Sequence, residues 1–137
     1  MFALDEALEM MKDEGLENIF QKHERHKKAV SEAAKKLNLK LFANEKSLSP
    51  SITALEVQNF DAESFRKSIQ DKYGILLAGG QDHLKGKIFR VGHLGYINDR
   101  DIISVITAIG LTLYEKNIVN ENDIGQALIE AKKHLEK

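Results

Sequence analysis

The sequence predicts an α+β fold with a small, mostly antiparallel sheet and helices packed on one face. The chain of 137 residues has the length of one domain. Four short apolar segments have the length and composition of strands. Elsewhere the apolar residues recur at steps of three or four, as they do on one face of a helix. Short strands with clustered helices favour two layers around one core.

Residues 1–38 are predicted to be helical. Apolar residues recur through Leu4, Leu8 and Met11, and Gly15 interrupts this pattern. A second, longer stripe runs over residues 16–37 and includes one histidine, His23. Because asparagine tolerates the left-handed conformation that ends helices, we expect Asn38 to stop the second helix.

The remaining chain alternates strands and helices. Asp61 is a good N-cap for a helix that stops at Gly74. Asn98 begins the next helix, with Asp101 completing an approximate capping box, and the last helix begins at about Asn122. The strands are predicted at 39–42, 52–57, 75–78 and 87–91.

Composition excludes several classes of function. A formal net charge of −1 gives no electrostatic reason to expect nucleic acid or an anionic membrane as a partner. The absence of cysteine excludes disulfides, thiolate zinc sites, iron–sulfur clusters and a cysteine nucleophile. The apolar runs are too short to span a bilayer, and the N-terminus lacks the plan of a signal peptide. We therefore expect a cytoplasmic, soluble domain.

Two motifs resemble known sites but fail in their details. Residues 80–87 differ from a phosphate-binding loop in spacing, lack its hydroxyl residue, and precede a strand instead of a helix. His23 and His26 are three residues apart, whereas the metalloprotease motif requires a spacing of four. We expect no metal site there, and we interpret this segment as a solvated helix face.

The segment 79–95 contains the strongest candidate site. It places Arg90 in an apolar strand between glycine-rich turns, and a half-buried guanidinium needs an anionic partner. Arg90 either binds the carboxylate or phosphate of a ligand, or extends to solvent and pairs with a surface carboxylate. His83 and His93 lie nearby as general bases or as structural hydrogen-bonding groups, and the sequence leaves their roles open.

This segment resembles the C-terminal small domain of class V pyridoxal-phosphate aminotransferases. The shared features are a double glycine, a Gly-Lys pair, and the run Phe-Arg-Val-Gly-His-Leu-Gly before a capped helix, found here as Gly79-Gly80, Gly86-Lys87 and residues 89–95. The nearest groups are the alanine–glyoxylate and serine–glyoxylate (serine–pyruvate) aminotransferases. They include cyanobacterial members labelled soluble hydrogenase small subunit. Residues 3–8 and 15–20 also resemble the helix that links the two domains of this family.

The resemblance implies a role for each part of the chain. Arg90 matches the arginine that binds the substrate carboxylate, and Gly92 and Gly95 match glycines of the turn beside the active site. The chain is then one domain, with residues 1–38 linking it to an absent N-terminal large domain and residues 39–137 forming the small domain of a fold type I transferase. That large domain would hold pyridoxal phosphate and its lysine, so this chain has no catalytic, cofactor-binding or metal-binding residue.

The parent enzyme implied by the resemblance is a pyridoxal-phosphate-dependent aminotransferase. It would be a homodimer that moves an amino group from serine or alanine to glyoxylate or pyruvate. We expect the isolated chain to be inactive and to bind no cofactor by itself. The alternative is a non-catalytic module that keeps the fold for binding small acids or for dimerisation. Hydrogenase chemistry is not expected, because its metal sites depend on cysteine thiolates, which the chain lacks.

Overall fold

The order of helices and strands agrees with the prediction. The structure, a computed structural model, describes residues 1–136, which form five α-helices and a four-stranded sheet. The elements are α1 (Phe2–Glu14), α2 (Leu16–Lys36), β1 (Lys40–Leu41), β2 (Ile52–Glu56), α3 (Ala62–Tyr73), β3 (Ala78–Gly79), β4 (Ile88–Gly92), α4 (Asp99–Glu115) and α5 (Glu121–Leu135). Across residues 1–136, no helix is both long enough and apolar enough to cross a lipid bilayer.

The sheet has the strand order β1-β2-β4-β3, and every neighbouring pair is antiparallel. Alternate residues of its two central strands are buried, and they face the helices: Thr53, Leu55, Phe89 and Val91. Because side chains alternate across a strand, the residues between them lie on the opposite face of the sheet. The α+β prediction, with helices on one face of a mostly antiparallel sheet, is confirmed.

The predicted helix ends are formed largely by the expected side chains. The Asp61 carboxylate accepts a hydrogen bond from the Ser64 amide, and α3 ends at Gly74 in the left-handed conformation. Asn98 and Asp101 form the predicted capping box of α4. The last helix starts slightly earlier than predicted, because Asn120 forms a second capping box with Asp123.

Strand β3 lies later in the chain than predicted, at 78–79 and not 75–78. Nη1 of Arg66 donates a hydrogen bond to the Leu77 carbonyl at 2.5 Å, so this carbonyl is bonded to a side chain and not to a neighbouring strand. Pairing with β4 begins at Ala78 and extends to the Gly80 amide, which donates to the Ile88 carbonyl. A side-chain contact from α3 therefore sets where the strand begins.

The hydrophobic core lies between the sheet and helices α2 to α5. Phe65 of α3 packs on Phe89 of β4, with ring centroids 5.2 Å apart. The C-terminal half of α2 is buried in this core, whereas Phe20 near its start is 62% exposed. Helix α1 has no buried residue. One end of the helical layer therefore leaves apolar side chains uncovered.

Three buried histidines join α2 to the segment between β4 and α4. The prediction of a solvated helix face at His23 and His26 is wrong, because both are buried and hydrogen-bonded. The ring of His23 donates from Nδ1 to the His93 carbonyl at 2.9 Å. His26 donates from Nε2 to Asp99 at 2.9 Å. These residues lie on the inward stripe of α2. His23 Nδ1 and His26 Nε2 are bonded to residues that follow β4, whereas His26 Nδ1 is buried without a partner among residues 1–136.

His93 is completely buried and tied to the start of β2. Its Nδ1 atom donates to the Pro50 carbonyl at 3.0 Å, so Nε2 accepts from the Thr53 hydroxyl at 2.9 Å. Burial lowers the pKa of this imidazole to about 4, because the charged form loses its hydration. The same cause lowers the pKa of His26, against the opposing charge of Asp99. His93 is thus a neutral structural group.

We predict that the free energy of unfolding falls by about 2 kcal/mol between pH 7 and pH 5. The unfolded chain protonates His93 near its ordinary pKa, whereas the folded chain does so only near pH 4. The contribution of His93 to stability is therefore fully present above its pKa in the unfolded chain, and it is lost as the pH falls toward its pKa in the folded chain. Urea unfolding at a series of pH values measures this slope.

The matched variants are His93→Gln and His83→Gln. His93→Gln should lower stability at pH 7 and flatten the slope, because the group that titrates is gone. His83 is exposed, and its replacement should leave the slope unchanged. An undiminished slope in His93→Gln would contradict the assignment.

Candidate functional site

Arg90 lies in the middle of β4 on the sheet face opposite the helices. Its neighbours Phe89 and Val91 point into the core, so the alternation of the strand directs Arg90 away from it. Antiparallel pairing places Ala54 of β2 on one side and Ala78 of β3 on the other. The guanidinium is partly buried between two small residues, which leaves its outer end accessible.

One nitrogen of Arg90 is already bonded within the chain. Nε donates to the Gly79 carbonyl on the neighbouring strand at 2.9 Å. Among residues 1–136, no carboxylate lies within 4 Å of this guanidinium, and its terminal nitrogens donate no hydrogen bond. A carboxylate can therefore engage it end-on, through Nη1 and Nη2, because the Nε edge is occupied.

Arg66 is an arginine of this fold whose guanidinium has hydrogen-bond partners within the chain. Its Nη2 pairs with the Glu63 carboxylate at 2.7 Å, and its Nη1 donates to the Leu77 carbonyl. Both ends of that guanidinium serve the structure of the chain itself. Arg90 differs because only its Nε is bonded within the chain. Its Nη1 and Nη2 atoms, which can bind both oxygens of a carboxylate, are left without a partner among residues 1–136.

The glycines that precede β4 are explained by the fold. A Cβ at Gly80 would overlap the backbone carbonyl of Leu84, and one at Gly86 would lie 2.7 Å from the Asp61 carboxylate. Gly86 also has a φ of +76°, which favours glycine. These two glycines let the turn between β3 and β4 close tightly over Ile88.

Gly92 and Gly95 behave differently from each other. Gly95 has a φ of +91°, so its backbone conformation accounts for the glycine. Gly92 has no such conformation, and a Cβ there would meet no atom within 4 Å. It stands two residues after Arg90, on the same face of the strand. Within residues 1–136, neither strain nor packing requires a glycine at position 92.

The other candidate residues do not join Arg90 in a site. His83 is exposed in a single turn of 3₁₀ helix at 82–84, and His93 is buried on its structural partners. Residues 80–87 form a turn that leads into a strand, not the start of a helix as in a phosphate-binding loop. No group of three or more potential metal ligands is placed to hold an ion within residues 1–136.

Arg25 was not predicted from the sequence as a site residue. Its Nε atom is buried without a hydrogen-bond partner among residues 1–136. The adjacent His23 and His26 lie on the buried stripe of α2, and their helical spacing was the signal for burial in that region. Nothing in the residue pattern distinguishes Arg25 from the surrounding charged residues, because its lack of a partner depends on the tertiary structure.

Comparison with known proteins identifies the relatives of this chain. No family model matches it. It is 50% identical over 122 residues to a protein of Anabaena cylindrica named soluble hydrogenase 42 kDa subunit, a match that covers 89% of this chain and 32% of that protein. It is 30% identical over 115 residues to the serine–glyoxylate aminotransferase of Arabidopsis thaliana, covering 82% of this chain and 29% of that enzyme.

A solved structure shows the same relationship. The ureidoglycine–glyoxylate aminotransferase of Bacillus subtilis superimposes with a TM-score of 0.89 at 28% sequence identity. The superposition covers 96% of this chain and 35% of the enzyme. The chain therefore spans about one third of the length of the proteins it matches. Its homologues and structural neighbours are class V aminotransferases, and it corresponds to a C-terminal fragment of them.

Proposed function

We propose that this chain is the substrate-recognition part of a class V aminotransferase, and that Arg90 binds the carboxylate of the reacting amino or keto acid. The observation that carries the proposal is the partly buried guanidinium whose terminal nitrogens have no anionic partner among residues 1–136. An arginine in such a setting is stabilised by a carboxylate in bidentate geometry. A small organic acid supplies that group.

The names of the relatives support the class of substrate. The Arabidopsis relative is named for serine and glyoxylate, and the Bacillus neighbour for ureidoglycine and glyoxylate. We infer an amino donor such as serine or alanine and an acceptor such as glyoxylate or pyruvate. Each has one carboxylate on a short carbon skeleton. Ala54 and Ala78, which pair with Arg90 in the sheet, add only methyl groups on either side of it.

The residues of this chain do not fit pyridoxal phosphate itself. A Schiff-base lysine needs surroundings, such as an apolar pocket, in which it loses its proton readily. Among residues 1–136, every lysine is exposed except Lys22 and Lys27, and these two pair with Glu14 and Glu24. Lys85 and Lys87, which flank the tight turn before β4, are exposed. When bound in the parent enzyme, the cofactor supplies the electron sink of transamination, and no chemical step is assigned to this chain.

The contribution of the chain is to bind and orient the acid. The Gly79 carbonyl fixes Nε of Arg90, so both carboxylate oxygens bind through the terminal nitrogens. This contact sets the direction in which the α-carbon of the acid points. In the proposed parent enzyme, a homodimer as the resemblance implies, that direction is toward the cofactor held by the rest of the protein.

We predict that Arg90→Gln raises the KM for both acids by about 10- to 100-fold, the loss expected for a charged bidentate contact. The host is a full-length chimera in which this chain replaces the matching third of the Arabidopsis thaliana serine–glyoxylate aminotransferase. A smaller change is expected in kcat, since the residue binds the acid and does not react. Steady-state transamination of serine with glyoxylate measures both constants.

Two further variants serve as controls for Arg90→Gln. Arg90→Lys keeps the positive charge but loses the two parallel N–H donors of the guanidinium. It should give a KM between those of the unchanged chimera and Arg90→Gln. Arg100→Gln removes an exposed charge from α4 and should leave KM unchanged. Unchanged kinetics in Arg90→Gln would refute the assigned role. Arg90-dependent binding of acids without transamination would favour the non-catalytic module instead.

We predict that Gly92→Ala leaves the isolated chain as stable as the original, or more stable by up to about 1 kcal/mol. The added methyl group meets no atom there, and alanine loses less backbone entropy than glycine on folding. In the chimera the same change should raise KM, because the methyl group stands beside Arg90 where the acid approaches. Urea unfolding and transamination kinetics measure the two effects.

Gly80→Ala is the contrasting variant. Its methyl group would overlap the Leu84 carbonyl, so we expect a loss of about 2 kcal/mol in the isolated chain. A Gly92→Ala chimera with unaltered KM would show that close approach at position 92 is not needed for substrate binding.

A further inference from the structure

Arg25 of α2 is a second arginine whose charge is not compensated among residues 1–136. Its Nε atom is buried and has no hydrogen-bond partner, and no carboxylate lies within 4 Å of its nitrogens. An unsatisfied donor of this kind is costly unless a partner reaches it. The carboxylates that line the two concavities beside Arg25 are bonded elsewhere: Glu14 to Lys22, Glu17 to Gln21, Glu24 to Lys27, and Asp99 to His26.

Arg25 lines two adjoining concavities. The first includes the apolar residues Phe20, Leu94 and Pro50 beside polar residues of α2, and the second includes Tyr96 and Ile97 among charged and polar residues. Phe20, Leu94 and Tyr96 are 62%, 65% and 89% exposed, respectively. An arginine surrounded by uncovered aromatic and aliphatic side chains has the composition of the centre of a protein–protein interface. We call this set of four, Phe20, Arg25, Leu94 and Tyr96, the Arg25 surface.

We propose that the Arg25 surface docks a protein surface that presents a carboxylate among apolar side chains. We identify this partner as the part of the aminotransferase polypeptide that lies outside the third matched by this chain. The inference rests on the proposed function to that extent. Arg25 is then an anchor between the two parts of the enzyme, separate from the substrate-binding role of Arg90.

The chemistry of the surface favours this occupant over others. Helix α1, which precedes the surface, has no buried residue and carries Asp5, Glu6 and Glu9, so it would repel phosphates of nucleic acid or of an anionic membrane. At the centre of a two-fold interface with a second copy, Arg25 would face another arginine. The relatives have about two thirds of their length outside the matched region, which is enough chain to cover the surface.

The test compares Arg25→Gln with Lys28→Gln in two settings, the isolated chain and the full-length chimera with the Arabidopsis thaliana relative. Lys28 is an exposed cation one turn further along α2 and is the matched control. Hydrogen–deuterium exchange of residues 16–28 reports whether the start of α2 is covered. We expect slow exchange in the chimera, about tenfold faster exchange in its Arg25→Gln variant, and no change with Lys28→Gln.

In the isolated chain, the unchanged sequence and its Arg25→Gln and Lys28→Gln variants should exchange the amide hydrogens of residues 16–28 at the same rate, because the partner of Arg25 is absent. Equal effects of Arg25→Gln in both settings would overturn the proposal in favour of a role within the chain. Unprotected α2 in the folded chimera, or a chimera that does not fold, would also overturn it. An Arg25-dependent dimer of the isolated chain in sedimentation would assign the surface to a second copy. Arg90→Gln should leave exchange at α2 unchanged, so failure of either proposal is visible without the other.

Discussion

The hydrogen bond from Arg90 Nε to the Gly79 carbonyl is the contact on which the candidate site depends. It joins the side chain of β4 to the backbone of the edge strand β3 at 2.9 Å. A long flexible side chain is thereby held in one orientation, and its terminal nitrogens have no hydrogen-bond partner among residues 1–136. Because the glycines at 80 and 86 allow the intervening turn to close, the position of Gly79, and hence of Arg90, follows from local sequence.

The far end of β4 is fixed by a different set of contacts. His93 ties the chain after Gly92 to Pro50 and Thr53 at the start of β2, and His23 ties its carbonyl to α2. These bonds are buried, and the His93 ring is neutral, so its bonds to Pro50 and Thr53 involve no charged group. Both ends of β4 are thus tied to neighbouring segments, and Gly92 adds no side chain to the sheet face that carries Arg90.

The fold was predictable because its signals are local. Apolar spacing marked α2 and α4, and Asp61, Asn98 and Asp101 marked helix starts that depend on neighbouring amides. The start of β3 could not be predicted, since it depends on Arg66 reaching the Leu77 carbonyl from α3. The burial of His23 and His26 was missed for the same reason: the partners of His23 Nδ1 and His26 Nε2 are about seventy residues away in the sequence. Arg90 was identified from its apolar strand and glycine turns, whereas the lack of a partner at Arg25 is visible only in three dimensions.

The proposed function depends on the end-on binding of a small acid by Arg90. A crystal structure of the full-length chimera, soaked with glyoxylate or a non-reactive analogue of serine, tests it most directly. We predict that both carboxylate oxygens lie within hydrogen-bonding distance of Nη1 and Nη2, while Nε remains on the Gly79 carbonyl. A carboxylate bound elsewhere, with Arg90 directed into solvent, would contradict the account.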